Sequence, residues 1–300
     1  MERFIRGDVL NCQFIHYHPN YYLFSGDSFQ SCSRQGGPLF TYPKVKIAVH
    51  SMAILSDNKL LVEDAKSFLH ILDLKNGTVL VSKKTSTQLS STRRFAVSPD
   101  GANAFRISRR GKKAYLEIID LSDLNYRNLP YIPNLNHIAD IVFKDGELLV
   151  LETSVDNDGT CLNCVKAVLI NGDICKTSLL YQWTGNHCGK FFDGEYVWDN
   201  GNNIRNLETG VSFNLLENSE VALPEKYVAL SHIYYPDQEL LQLIDGDSNV
   251  IIDCKKRKVI ARYYLDPNGI AFGGFYTENK FWFGQPNGIS SKAFPIIESH

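Results

Sequence analysis

The stretch Met52 to Lys84 constrains this chain most, because short apolar runs alternate in it with turn residues. Ala53, Ile54 and Leu55 end one apolar strand, and Asp57-Asn58 turns the chain. Lys59 to Glu63 reads as a second strand, and Asp64 to Lys66 as a second turn. Phe68 to Leu74 is a third strand. Asn76-Gly77 is a turn whose residues tolerate positive φ, and Thr78 to Lys83 is a fourth strand. Four short antiparallel strands in about 35 residues form one blade of a β-propeller.

The rest of the chain reads as imperfect copies of this unit. Candidate innermost strands begin near Asn11, Ala48, Thr92, Asn136, His187, Lys226 and Gly269. Their spacing, mostly about 40 to 50 residues, is that of propeller repeats. Seven starts predict an all-β, seven-bladed β-propeller of four-stranded antiparallel blades, a single domain over residues 1–300. The last blade has three clear strands, Gly269 to Tyr276, Lys280 to Gly284 and Ile289 to Ile296. The N-terminal strand Glu2 to Arg6 is expected to close it as the fourth, which removes open sheet edges.

Two motifs carry a family resemblance. Phe95-Ala96-Val97-Ser98-Pro99-Asp100-Gly101 holds the SPDG turn common in WD-repeat-like and YVTN-like propellers. Phe68 to Gly77 resembles the strand-turn signature of quinoprotein repeats. The chain as a whole resembles the broad superfamily of WD-repeat, YVTN-type and quinoprotein-like propellers. It departs from them too. Trp198-Asp199 is the only Trp-Asp pair, and Val81-Ser82 stand where quinoprotein repeats carry tryptophan. No quinone is implied, nor any other cofactor. The resemblance implies a fold, and a fold does not imply a function. Asp73, Asp120 and Asp253 each close a third strand, as ILDL, IIDL and IIDC. A short acid there can accept hydrogen bonds from turn amides.

Composition narrows the function. Net charge is -2 and charged residues make up 21% of the chain, which argues against a nucleic-acid binder working by bulk charge. No apolar run reaches the roughly eighteen residues of a membrane span. The start MERFIRGDVLNCQF lacks the apolar core of a signal peptide. The seven cysteines are irregularly spaced and fit reduced thiols. A cytoplasmic protein is expected.

In a propeller, the loops joining second to third strands share one rim with the loops joining successive blades. Here those loops are the variable ones, basic around Ser108 to Lys113 and acidic at Asp156 to Thr160, Asp199 to Asn203 and Asp245 to Asn249. A polarised rim suits a protein partner of matching charge pattern. Arg109, Arg110, Lys112, Tyr17, Tyr21 and Phe29 are the expected anchors. Arg93, Arg94 and Arg106 add to the basic concentration. A solvated charged hairpin explains the same residues, and nucleic acid would need aromatic interleaving.

Three groups of residues have metal-ligand types at suggestive spacing, and none is expected to hold a metal. Asp245, Asp247, Asn249 and Asp253 have the alternating spacing of calcium loops, with Val250 where glycine is usual. Cys161 and Cys164 form a Cys-x-x-Cys pair upstream of Cys175, His187 and Cys188 but lack a second knuckle. His16 and His18 share one side of a strand, where packing with Tyr21 and Tyr22 also accounts for them. Enzyme motifs are absent: no Gly-x-Ser-x-Gly, no His-Glu-x-x-His, no phosphate-binding glycine loop. Asp140, Glu152, Asp193, His50, His137, His187 and His232 lie on or near inner or second strands and read as satisfied polar residues. The expected function is a non-catalytic protein-interaction module, in one version a neutraliser of a toxin. The alternative is a glycosidase, lyase or lactonase working at the central channel.

Overall fold

The computed structural model describes residues 2–3, 14–25, 28–35, 38–46, 49, 51–85, 88–89, 95–110, 113–131, 133–135, 137–171, 174–185, 189–192, 194–200, 203–215, 217, 219, 231–235, 238–244, 248–264, 274–277, 280–285 and 288–293. Among them no helix is long and apolar enough to cross a membrane.

The chain opens with β1 (Glu2–Arg3). Blade one is β2 (Phe14–His16), β3 (Tyr21–Ser25), β4 (Phe29–Ser33) and β5 (Phe40–Tyr42). Blade two is β6 (Ser51–Ser56), β7 (Lys59–Glu63), β8 (Phe68–Asp73) and β9 (Thr78–Lys84). In blade three, β10 (Gln88–Leu89) and β11 (Ala96–Val97) both pair with β12 (Asn103–Arg110), which continues to β13 (Lys113–Asp120) and β14 (Tyr126–Asn128). Blade four is β15 (His137–Lys144), β16 (Glu147–Val155), β17 (Cys161–Asn171) and β18 (Ile174–Gly185). Blade five is β19 (Lys190–Phe192), β20 (Tyr196–Asn200), β21 (Asn203–Asn206) and β22 (Ser212–Asn214). Blade six is β23 (Ser231–Tyr235), β24 (Leu240–Ile244), β25 (Ser248–Asp253) and β26 (Lys258–Tyr264). Every neighbouring pair within these sheets is antiparallel. The strands expected between Ala53 and Lys83 fall within a few residues of their observed limits.

Alternation with period two sends successive side chains to opposite neighbours. Leu60, Val62 and Leu72 of blade two pack on Leu23, Phe29 and Tyr42 of blade one. Leu61, Leu69 and Ile71 face the other way, onto Ala104 and Ile119 of blade three. The pattern repeats around the molecule. Phe105 and Leu116 meet Ile141 and Val150 between blades three and four. Leu151 and Val165 meet Phe191 and Val197 between blades four and five. Trp198 and Ile204 meet Leu241 and Val250 between blades five and six.

The sixth seam closes the circle. Tyr235, Ile251 and Ala261 of blade six pack directly on Tyr22, Phe24 and Cys32 of blade one. The ring therefore has six blades, and the expected count of seven is corrected. Once blades six and one share a core, no gap in the succession is left for another sheet. The last three strands, β27 (Gly274–Thr277), β28 (Lys280–Gln285) and β29 (Gly288–Ala293), do pair with the N-terminal strand as expected, with Glu2 opposite Ser291 and Arg3 opposite Ser290. That seventh sheet approaches β2 through β27 and β28, but it is not a blade between six and one.

The turn acids behave as read from the sequence. Asp73 Oδ1 accepts the N–H groups of Lys75 (2.9 Å) and Asn76 (3.0 Å). Asp120 Oδ1 accepts from the Ser122 N–H (2.8 Å) and hydroxyl (2.6 Å), which hold its carboxyl below the usual range. Asp253 Oδ1 accepts from Lys256 N–H (2.8 Å). Gly77 and Gly210 take the positive φ their turns require, 67° and 69°.

Candidate functional site

The chemically distinctive groups are polar side chains sealed between the blades. Buried polar groups need partners, and here the partners come from neighbouring strands and from the loops that enter each blade. Arg106, at the middle of β12, is fully buried. Its Nη1 donates to Glu63 Oε1 at the end of β7 (2.9 Å). Its Nε and Nη2 donate to Glu117 Oε2 on β13 (both 2.9 Å). One cation thus stands between two carboxylates in the seam of blades two and three. Burial pushes the Glu63 carboxyl up to about 7, against the opposing pull of Arg106.

Asp64 follows Glu63 and caps the turn into β8. Its Oδ1 accepts the N–H groups of Lys66 and Phe68 (2.9 Å each), and its Oδ2 that of Lys46 (3.0 Å). His70 Nε2 lies 3.3 Å from the same Oδ2, and Ser82 Oγ lies 2.7 Å from His70 Nδ1. In blade four, Glu152 is fully buried and accepts from Lys166 Nζ (2.9 Å), from the N–H groups of Asn134 (3.1 Å) and Leu135 (3.0 Å), and from the Tyr131 hydroxyl. Asp140 Oδ2 accepts the N–H of Phe191, and Asn163 Oδ1 that of Gly189, both at 2.9 Å, which ties blade four to the start of blade five. Asp140 and Glu152 are thus satisfied polar residues. Asp193, His50 and His187 lie outside the described residues.

The expected partner-binding residues scatter. Tyr21 is buried and donates its hydroxyl to Asn58 Oδ1 (2.5 Å). Phe29 is buried against Tyr42, ring centres 5.9 Å apart. Both rings pack into the seam of blades one and two. Tyr17 is half-buried at the seam of blades one and six. Its ring edge meets Tyr235 (5.2 Å), and the Arg34 guanidinium lies over it (5.6 Å). Arg109 and Arg110 are the last residues of β12, opposite Ala114 and Lys113. Lys112, Arg93 and Arg94 lie outside the described residues. Arg106 leaves the surface patch altogether, because both faces of a blade's middle strands are covered and the basic hairpin runs straight into one.

The described members of the metal arrangements do not converge. Asp245 and Asp247 lie outside the described residues. Asn249 is fully buried, with its Oδ1 accepting from Gln242 Nε2 (2.9 Å). Asp253 closes the far end of β25, about 13 Å along the strand at some 3.3 Å per residue, too far to share one cation. Cys161 and Cys164, three apart on β17, point to opposite faces and are both buried. His187 and Cys188 lie outside the described residues. His18 is buried and accepts the Asn20 N–H at Nδ1 (3.1 Å), and burial lowers it to about 4. Among the described residues no three His, Cys, Asp or Glu side chains gather as metal ligands.

One surface feature escaped the sequence reading. Blade four has the longest strands of the ring, and its outer hairpin β17–β18 overhangs β16. Leu169, Leu179 and Leu180 on that hairpin are 65%, 58% and 54% exposed. Leu180 is the extra residue of a bulge, since Val165 pairs with Tyr181 and Lys166 with Leu179. The two leucines are therefore exposed side by side. Alternation alone would have hidden one of them, and only the bulge reveals the pair.

No family model matches the chain, and no curated protein does either. Solved structures do. A computationally designed protein, Ika8, superposes with a TM-score of 0.60 at 9% identity, covering 96% of this chain and 98% of its own. Hydrazine synthase of Kuenenia stuttgartiensis superposes with a TM-score of 0.62 at 12% identity, covering 97% and 98%. The chain folds as a β-propeller. At such identities the likeness shows the fold alone, and the expected WD-repeat, YVTN or quinoprotein membership gains no support from any family match. With a designed protein and a hydrazine synthase sharing it, this fold selects no function.

Proposed function

We propose that this propeller is a recognition module that binds another protein. The observation that carries the reading is the adjacent pair of exposed leucines, Leu179 and Leu180, on the outer strand of blade four, with Leu169 exposed on the other face of the same hairpin. Clustered exposed apolar side chains on a folded protein mark interaction surfaces. β18 is also an edge strand, so its outer backbone groups can accept an added strand of the partner, with leucines filling pockets beside it. The bulge at Leu180 twists this edge and discourages indiscriminate pairing. Arg109 and Arg110, at the tip of the neighbouring blade three, are the polar contribution in this reading, whereas Tyr17, at the seam of blades one and six, lies across the ring and takes no part in this edge. A toxin-neutralising role is its narrower form, and it requires that the captured partner be a toxin whose activity falls on binding.

The test is stoichiometric capture from native lysate, with the captured protein then titrated as purified material against the wild type and the Leu179→Glu/Leu180→Glu variant. Burial of a leucine contributes about 1.5–3 kcal/mol, so the double variant should weaken binding at least a hundredfold while melting like the wild type. Equal affinity in the two would refute the assignment of this edge, and Arg109→Glu/Arg110→Glu then asks whether the rim alone binds.

A further inference from the structure

Blade two lines up a turn acid, a buried histidine and an exposed serine, and the turn accounts only for the acid. Ser82 lies on β9, the outermost strand, and is exposed to solvent. Directly across the ladder on β8 is His70, which is buried, as is Asp64 behind it. Ser82 Oγ is 2.7 Å from His70 Nδ1, and His70 Nε2 is 3.3 Å from Asp64 Oδ2. The three backbone N–H groups that Asp64 accepts fix its carboxylate in place. A fixed carboxylate beside Nε2 demands a proton there, which leaves the Nδ1 lone pair to receive the Ser82 hydroxyl.

The backbone adds an electrophile-stabilising group. Thr85 N–H donates to Ser67 O (2.8 Å), and hydrogen-bonded pairs alternate with open ones along an antiparallel ladder. Three positions inward, the Ser82–His70 pair falls at an open site. The side chains there approach closely, and the Ser82 N–H points away from β8 to the unpaired edge. Phe68 stacks near His70 (6.0 Å between ring centres), and the Lys84 ammonium lies 5.9 Å from the Phe68 ring. Burial holds the imidazole below its ordinary range, outweighing the upward pull of Asp64, and the charge of Lys44 adds to the lowering.

We propose that Ser82, His70 and Asp64 form a nucleophilic serine relay on the outer edge of blade two, acting on small acyl esters that carry a negative group. Ser82 Oγ bonds to the ester carbonyl carbon, its proton passes to His70 Nδ1, and the carbonyl electron pair moves to the oxygen beside the Ser82 N–H. As the tetrahedral species collapses, the bond to the leaving alcohol breaks and that alcohol takes the proton from Nδ1. Water, deprotonated by the same nitrogen, then attacks the acyl-serine, releasing a carboxylic acid and restoring the hydroxyl. Asp64 steadies the transient imidazolium. Lys84 and Lys44 favour the anionic ester. This relay goes beyond partner binding and sits on a different blade.

A fluorophosphonate probe reads the nucleophile directly. The Ser82 Oγ–P bond forms, the P–F bond breaks, and fluoride departs with the proton passed through His70. Intact mass and peptide mapping should show one adduct, on Ser82. Ser82→Ala, an exposed change, should abolish it without altering the melting temperature or partner capture. His70→Asn should slow labelling at least about a hundredfold, the usual worth of a general base. A labelling rate that rises with pH and levels off below the ordinary histidine range is the signature a structural hydrogen bond would not give. Absence of an adduct under conditions that label a control serine hydrolase, or an adduct on another residue that survives Ser82→Ala, would overturn the assignment.

Discussion

At Arg106 a single guanidinium faces two buried carboxylates, Glu63 and Glu117, so the pocket carries one surplus negative charge when all three are ionised. Protonation of Glu63 relieves it, in line with its rise to about 7. A carboxyl whose folded pKa lies above its unfolded value, near 4.5, binds protons more tightly when folded. Its stabilising contribution is full below about pH 4.5 and is lost as pH climbs through about 7. Urea unfolding should therefore show wild-type stability declining from pH 5 to pH 8 by an amount on the order of 3 kcal/mol at most, and Glu63→Gln should flatten that decline. An unchanged slope in the variant would exclude Glu63 as its source. Gly77 gives a second expectation. Its φ is 67°, and an added Cβ would come within 2.2 Å of the Phe40 ring. Gly77→Ala should cost about 1–3 kcal/mol in the same measurement. Gly77 was legible in the sequence because Asn-Gly after an apolar strand has one common use. Arg106 was not. A buried arginine and a surface one look alike in a basic run, and its neighbours Ala104 and Ser108 share its face without revealing that both faces of that strand are covered.

Among elements, strands and their turns were the readable level. Lys59–Glu63 was placed to the residue, and the inner strand of each ring blade begins within about five residues of its expected start, because alternation and turn chemistry act over short stretches. What joins one blade to the next was hidden, since it depends on side chains far apart in the chain. Asp140 on β15 holds the Phe191 N–H of β19, and Asn163 on β17 holds the N–H of Gly189 just before it. Either substitution to alanine leaves a buried donor without its acceptor, at a cost of about 1–3 kcal/mol. The two act on one short segment, so the double variant should lose less than the sum of the singles. A double-mutant cycle in urea measures this coupling, and strict additivity would show the two contacts to be independent braces. The same distance problem concealed the Asp64–His70–Ser82 alignment: a turn acid, a middle-strand histidine and an outer-strand serine meet only because the β8–β9 register sets His70 opposite Ser82.

For the whole molecule the decisive contact is the seam where Tyr22, Phe24 and Cys32 meet Tyr235, Ile251 and Ala261. Counting repeats finds seven sheets but cannot tell which of them stand in the circle. Sequence spacing measures how much chain lies between inner strands, whereas closure depends on which faces have apolar partners. The seam makes a sharp prediction. If six blades complete the ring, a chain ending after Tyr264 retains every seam and should keep its near-ultraviolet circular dichroism and a cooperative urea transition. Its m value should fall only by the surface that the seventh sheet buries. If the seventh sheet were instead a blade between six and one, the same truncation would open the ring, bare the apolar faces of Phe24 and Ile251, and abolish the cooperative transition. Ile251→Ala separates the alternatives further. In a direct seam it leaves a cavity costing about 2–5 kcal/mol, and that cost should be equal in the full and shortened chains, because the contacts it removes belong to the ring and not to the terminal sheet.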